Sequence, residues 1–302
     1  MWVMPGISLP PLVGYRGMEK QGMQNSPIGS SGGAVEGALI EPSVILERPE
    51  AGICVVRLNR VAARNSLSLA VLSELTAVFA ELGRDDSVRT IVLAANGPVF
   101  CAGHDLKELT SHRGDADGGK AFYGETMSAC SQLMQGMVAC PKPIIAAVHA
   151  MATAAGCQLV ATCDLAVAAD GAKFCTPGVN IGLFCSTPMV ALSRNVSRKR
   201  AMEMLLLGEL ISADDAAEYG LVNRVVPSDE VVESALEFAR RIAAKSSATV
   251  AIGKEAFYRQ VEQPLAEAYD YAAAVMVENM LHRDSKEGIG AFLEKRKPDW
   301  KG

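Results

Sequence analysis

The 302-residue chain has only four histidines, and none recurs at HxH or HxxxH spacing. The usual zinc-ligand pattern is therefore missing, and no metal is expected. It has eight cysteines, at 54, 101, 130, 140, 157, 163, 175 and 185, but no CxxC pair. Most sit inside apolar runs, so they read as buried thiols in a reducing compartment: the cytoplasm, or the mitochondrial matrix in a eukaryote. There is no run of about 18 apolar residues, so no membrane span is expected. There is no basic excess either. The formal charge is −5, which gives no electrostatic case for nucleic acid as a partner. Residues 1–40 are rich in Gly, Pro and Ser and lack both the continuous apolar stretch of a secretion signal and the arginines of an organelle presequence. They are expected to form a mobile tail.

What remains is a chain that is 49% hydrophobic and 21% charged, enough for a large soluble core. "SVILERP" and "GICVVRLN" read as strands joined at Glu50-Ala51-Gly52. "SLAVLSELTAVFAELGRD" has helical spacing, with Ser68 as its cap and Gly83 at its end. "RTIVLAA", "KPIIAAVHA" and "LAVAA" are buried strands, and "PVFCAGHDLKEL" is a strand, a turn at Ala102-Gly103 and a helix that Asp105 caps. Helices are expected from about Gly114 to Met137 and from Ala154 to Cys163. Strands alternating with helices indicate an α/β fold with parallel units. From Ser197 onward the segments are mainly helical, apart from the brief extended "LVNRVVP". The expected organisation is a tail (1–40), an α/β core (41–196) and a mainly helical region (197–302).

Two turns carry chemistry. After Gly103, the backbone N–H of His104 faces the space above the sheet. A second helix starts near Ala154-Ala155, where the first N–H groups have no internal partner and carry partial positive charge. Two such groups aimed at one point form an oxyanion hole, where each donor is worth about 2.7–4 kcal/mol. Small residues at a helix start also serve close packing, and spacing alone does not separate the two readings.

The segments "VFCAGHDLKEL", "KPIIAAVHAMATAAGCQLVATCDLAVAAD", "KFCTPGVNIGL", "AMEMLLLGELISADDAAEYGLVNRVVP" and "EGIGAFLEKRKPDW" together resemble the enoyl-CoA hydratase/isomerase, or crotonase, family. The likeness runs in order from about residue 43 to 302. It implies a spiral of ββα units with a C-terminal helical trimerisation region, and self-association as a homotrimer or hexamer. It implies an acyl-CoA substrate whose thioester oxygen meets the N–H groups of His104 and Ala155. Coenzyme A is then part of the substrate, and no separate cofactor is expected. The resemblance places CoA against Ala62, Ala63 and Arg64, against Ala102 and Lys107, and against Phe292 and Lys295 of the C-terminal helix. Lys107 and Lys295 are equally readable as surface charges, and "EKRK" (294–297) as a solvated helix face.

The chain also departs from that pattern. A typical hydratase of the family holds water between two glutamates, which align with Gln158 and Gly178 here. An amide holds water but does not take its proton. Each acid–base group contributes about 10²–10⁴-fold, so ordinary hydration is expected to be slow. Ala154, Ala155 and His149-Ala150 stand where the family has Gly, Gly and Asn-Gly. Gln158 is either such a substituted position or a satisfied buried amide. Tyr123 and Glu125 fall on a segment that roofs the pocket in relatives, and Glu125 is the nearest carboxylate. Cys185 reads as a packed thiol or a nucleophile beside Ser186, and the His104 side chain is expected to titrate near neutrality. Two functions follow: an acyl-CoA-processing enzyme that stabilises an enolate or oxyanion, and a non-catalytic acyl-CoA binder.

Overall fold

The computed structural model describes residues 41–301; the expected tail lies outside them. A six-stranded sheet has the order β1-β2-β3-β5-β7-β10, and a four-stranded sheet the order β4-β6-β8-β9. The strands are β1 (Val44–Glu50), β2 (Gly52–Leu58), β3 (Val88–Ala95), β4 (Val99–Cys101), β5 (Ile144–Val148), β6 (Met151–Thr153), β7 (Leu165–Ala169), β8 (Lys173–Cys175), β9 (Ile211–Ser212) and β10 (Arg224–Val226). The β1–β2 and β8–β9 pairs are antiparallel; every other pair is parallel.

The helices of the core are α1 (Leu69–Arg84), α2 (Leu106–Ser111), α3 (Lys120–Ala139), α4 (Ala155–Thr162) and α5 (Ser186–Asn195). The chain climbs by one strand in the large sheet, one short strand in the small sheet and then helix: β3-β4-α2/α3, β5-β6-α4, β7-β8-α5. This is the expected ββα spiral. β5 is buried at all five positions, so its sequence is a continuous apolar run. β1, at the sheet edge, is buried only at Val44. Between sheet and helices lie Phe79, Phe100, Phe174, Leu72, Leu75 and Leu93, all but fully buried.

The remaining helices are α6 (Arg198–Leu207), α7 (Ala213–Tyr219), α8 (Val231–Ala243), α9 (Ser247–Gln260), α10 (Leu265–Leu281) and α11 (Arg283–Leu293). α8 buries Val231, Ala235, Leu236 and Ala239, an i, i+4 stripe laid on the large sheet. α9 is fixed by a buried polar knot. Lys254 donates to Asp164 at 2.7 Å and to the carbonyls of Met137 and Lys142, and Tyr258 donates to the other Asp164 oxygen at 2.9 Å.

Several local expectations differ from the structure. Gly83 does not end α1, which runs one residue further to Arg84; a Cβ at 83 would make ordinary contact with Pro141 at 3.4 Å. α3 begins at Lys120 rather than near Gly114, because Gly118 and Gly119 adopt positive φ and break the path. The strand expected to end at His149 stops at Val148, and β6 follows. The four residues 294–297 lie beyond α11; Glu294 is its C-cap and Lys295 has φ +55°, so they are not a helix face.

Candidate active site

Two backbone segments meet above the small sheet. β4 leads into Ala102 and Gly103, and β6 leads into Ala154 and α4. Gly103 has φ +87°, and a Cβ there would be 3.0 Å from the Ala154 methyl and 3.3 Å from the Ala155 nitrogen. Only glycine permits that approach. Thr153 Oγ1 donates to the Ala102 carbonyl at 3.0 Å and fastens the two segments together.

The direction of the His104 N–H follows from a parallel bridge with Leu67. Leu67 donates to the Gly103 carbonyl at 2.8 Å, and Asp105 donates to the Leu67 carbonyl at 3.0 Å. Residues 103 and 105 thus face Leu67, and His104 presents its own N–H on the opposite edge. β4 pairs with β6 on that edge, where Thr153, Ala154 and Ala155 follow. Ala155 is the first residue of α4, so its N–H has no partner within the helix. Ala154 donates its N–H to the Cys175 carbonyl at 2.9 Å. Among the described residues nothing accepts from the N–H of His104 or Ala155.

The three small residues at the start of α4 have different causes. Gly156 packs on β4; any Cβ there would overlap the Cys101 carbonyl. Ala154 has φ 50° and ψ −118°, a conformation that favours glycine, at a cost of about 1–3 kcal/mol. That turn sets the orientation of the next N–H. Ala155 is buried beside the cavity.

Both N–H groups border a cavity of about 790 Å³. α2 and α3 supply one wall and residues 177–188 the other. The lining is mostly apolar, with Leu106, Leu109, Met127, Ile181, Leu183 and Phe184, and contains no Asp or Glu. The side chain of His104 lines it, with Nε2 buried and unpartnered. Burial pushes that imidazole down to about 4, so it is neutral at physiological pH and does not titrate near neutrality as expected. Burial raises the Cys185 thiol, which keeps it protonated and favours the packed-thiol reading over a nucleophile.

Ala102 borders the cavity and donates its N–H to the Arg64 carbonyl at 3.1 Å, but Ala62, Ala63 and Arg64 do not themselves line the cavity. Lys107 is exposed on the first turn of α2. Asp105 caps that helix by accepting from the N–H groups of Lys107 and Glu108, and also pairs with Arg60 at 3.1 Å. Tyr123 lines the cavity; Glu125 is exposed and does not. Gln158 is not brought to the cavity. It is 4% exposed, and its Oε1 lies 3.8 Å from Cys130 Sγ on α3. Phe292, 81% exposed, and Lys295 are not brought to the cavity within one chain.

Sequence reasoning did not find Leu67, Arg60 or Arg113. The first two act through a bridge and an ion pair to residues 36 to 45 positions away, which no local pattern announces. Arg113 was hidden in a Gly/Asp-rich loop.

The profile of the enoyl-CoA hydratase/isomerase family matches residues 48–302. The chain belongs to this family. A crystal structure of an enoyl-CoA hydratase from Mycobacterium smegmatis is 49% identical, with TM-score 0.82, covering 86% of this chain and 99% of that one. The crystal structure of human enoyl-CoA hydratase domain-containing protein 3 is 46% identical, with TM-score 0.81, covering 86% and 100%. The rat protein of that name, described as mitochondrial, is 46% identical over 260 residues, 86% of this chain and 85% of its own length. Gly178 lines the cavity, and a Cβ on it would stand 2.9 Å from both Cys185 Sγ and the Leu183 carbonyl.

Proposed function

We propose that the cavity binds an acyl-CoA thioester and stabilises its enolate or oxyanion with the N–H groups of His104 and Ala155. The observation that carries this reading is the pair of unpartnered amides on adjoining backbone segments at one apolar cavity. Such donors are fixed before the reaction, so they stabilise developing charge without reorganising. On this reading Ala102, which lines the cavity, serves the CoA moiety together with Ala62, Ala63, Arg64 and Lys107 outside the lining. Phe292 and Lys295 serve it from a neighbouring subunit.

The lining without carboxylates supports reactions that need enolate stabilisation and little base help: decarboxylation, isomerisation or thioester hydrolysis. It equally favours a second reading, acyl-CoA binding without turnover. Self-association as a trimer or hexamer is supported by apolar residues on the C-terminal helices, with Leu265 77%, Tyr269 70% and Met276 61% exposed. Eight free cysteines, and the mitochondrial names of similar proteins, support a reducing compartment.

Thermal unfolding with CoA, butyryl-CoA and octanoyl-CoA tests binding. A ligand selective for the folded state raises the melting point, by about 2.7 kcal/mol of stability at 100-fold excess over Kd. No rise with any of them contradicts the proposal. Loss of the conjugated absorbance of crotonyl-CoA tests ordinary hydration, and none is expected beyond that of an Ala155→Pro variant, which lacks the N–H.

A further inference from the structure

The cavity holds one charged side chain, and it has no counter-ion. Arg113 lines the cavity beside Leu109, Thr110 and Tyr123. Among the described residues its side chain makes no ion pair and no hydrogen bond. The acids nearest in sequence are engaged elsewhere. Asp115 holds His112 Nδ1 at 2.8 Å, and Asp117 accepts from the N–H groups of Gly119 and Ala121. Arg113 is exposed, so its guanidinium meets solvent at the edge of the cavity with all its donors uncommitted.

Its distance from the reacting end is set by α2. That helix starts beside His104 and has six residues. At about 1.5 Å per residue it spans roughly 9 Å, the reach of an extended acyl chain of roughly six to eight carbons. Leu106 and Leu109, between His104 and Arg113 in sequence, also line the cavity. The lining thus combines donors for a thioester oxygen, apolar surface for methylenes and a cation for an anion.

We propose that Arg113 is a specificity-determining residue that receives the terminal carboxylate of a dicarboxylic acyl chain, so that the preferred ligand class is the CoA monothioester of a medium-length dicarboxylic acid. The proposal rests on the acyl-CoA reading of the cavity. A planar guanidinium meets a carboxylate with two parallel, charge-assisted N–H···O bonds, a geometry an exposed ammonium does not reproduce. A chain ending in a methyl group leaves the guanidinium solvated and gains nothing from it.

Isothermal titration of octanoyl-CoA, suberyl-CoA (the eight-carbon chain with a terminal carboxylate) and CoA alone tests this on the wild type and on Arg113→Gln. Wild type is expected to bind suberyl-CoA about fivefold or more tightly than octanoyl-CoA. Arg113→Gln is expected to weaken suberyl-CoA about tenfold, as for loss of a charge-assisted pair, with less than about a twofold change for the other two. Arg113→Lys should fall between, because an ammonium keeps the charge and loses the fork. Equal weakening of all three ligands overturns the proposal and assigns Arg113 to the CoA phosphates. No Arg113 dependence, with octanoyl-CoA still bound, overturns the proposal alone. Failure of both octanoyl-CoA and suberyl-CoA to bind overturns the acyl-CoA reading and this proposal with it.

Discussion

A methyl group on Gly178 would stand 2.9 Å from the sulfur of Cys185. The backbone on the far side is as close, since the Leu183 carbonyl lies at the same distance. Gly178, which the resemblance aligns with a glutamate of typical hydratases, thus has a neighbouring loop where a side chain would start, while Gln158 is turned into the core against Cys130. The two departures from the family pattern are therefore structural as well as chemical.

Restoring the glutamates is expected to fail. The Gln158→Glu/Gly178→Glu double variant should show no gain in hydration of crotonyl-CoA. It should also unfold at lower temperature, because overpacking costs about 1–3 kcal/mol and a carboxylate buried among apolar groups adds to that. Hydratase turnover in the folded double variant would show that the loop and the core yield more easily than their packing indicates.

Ala154→Gly should stabilise the protein. It relieves the φ 50°, ψ −118° turn, worth about 1–3 kcal/mol, and gives back about 0.4–1 kcal/mol through the freer unfolded chain. Chemical denaturation should show a net gain of about 1 kcal/mol. A loss would mean that the Ala154 methyl, packed against Gly103, contributes more than its backbone costs.

The helical region depends on Asp164. Asp164→Ala leaves the Lys254 ammonium, almost fully buried, without its carboxylate. Removing one partner of a buried pair costs about 3–5 kcal/mol. Hydrogen exchange should show α9 opening first, because Lys254 and Tyr258 both reach Asp164 from that helix. Uniform loss of protection across the chain would contradict this.

The buried His104 imidazole makes stability depend on pH in a definite direction. Its folded value lies at about 4, below the ordinary 6.5. Between those values the unfolded chain binds more protons, so stability falls as pH drops from 6.5 towards 4. Cys185, Tyr123 and Arg113 share the cavity, and no carboxylate lines it to hold the ring charged. His104→Gln should lose this slope, so the wild-type and variant stability curves converge as pH falls. Parallel curves would contradict the burial of the ring.

The fold was readable because its strands are continuous apolar runs and its helices carry periodic apolar faces, as in β5 and α8. Of the small sheet only β4, in "PVFC", was. Its strands are two or three residues long and leave no period to read. α9 falls in the region read as mainly helical, but it buries no residue fully and so carries no apolar stripe to mark its bounds. At the site, "CAGHD" and "TAAGC" marked the two turns, and the strand-turn-helix order indicated where their N–H groups point. The strain at Ala154, the closure at Gly178 and the direction of Gln158 are facts of backbone angle and distant packing. Residue type alone does not encode them.

The central claim is that the amides of His104 and Ala155 polarise one thioester carbonyl. Octanoyl-CoA labelled with ¹³C at that carbonyl tests it by NMR on the bound complex. Two hydrogen bonds to the oxygen withdraw electron density from the carbon, so the bound resonance is predicted to move downfield of the free thioester, and less so in Ala155→Pro, where one donor is gone. A saturated complex whose carbonyl resonance stays at the free position would contradict the account.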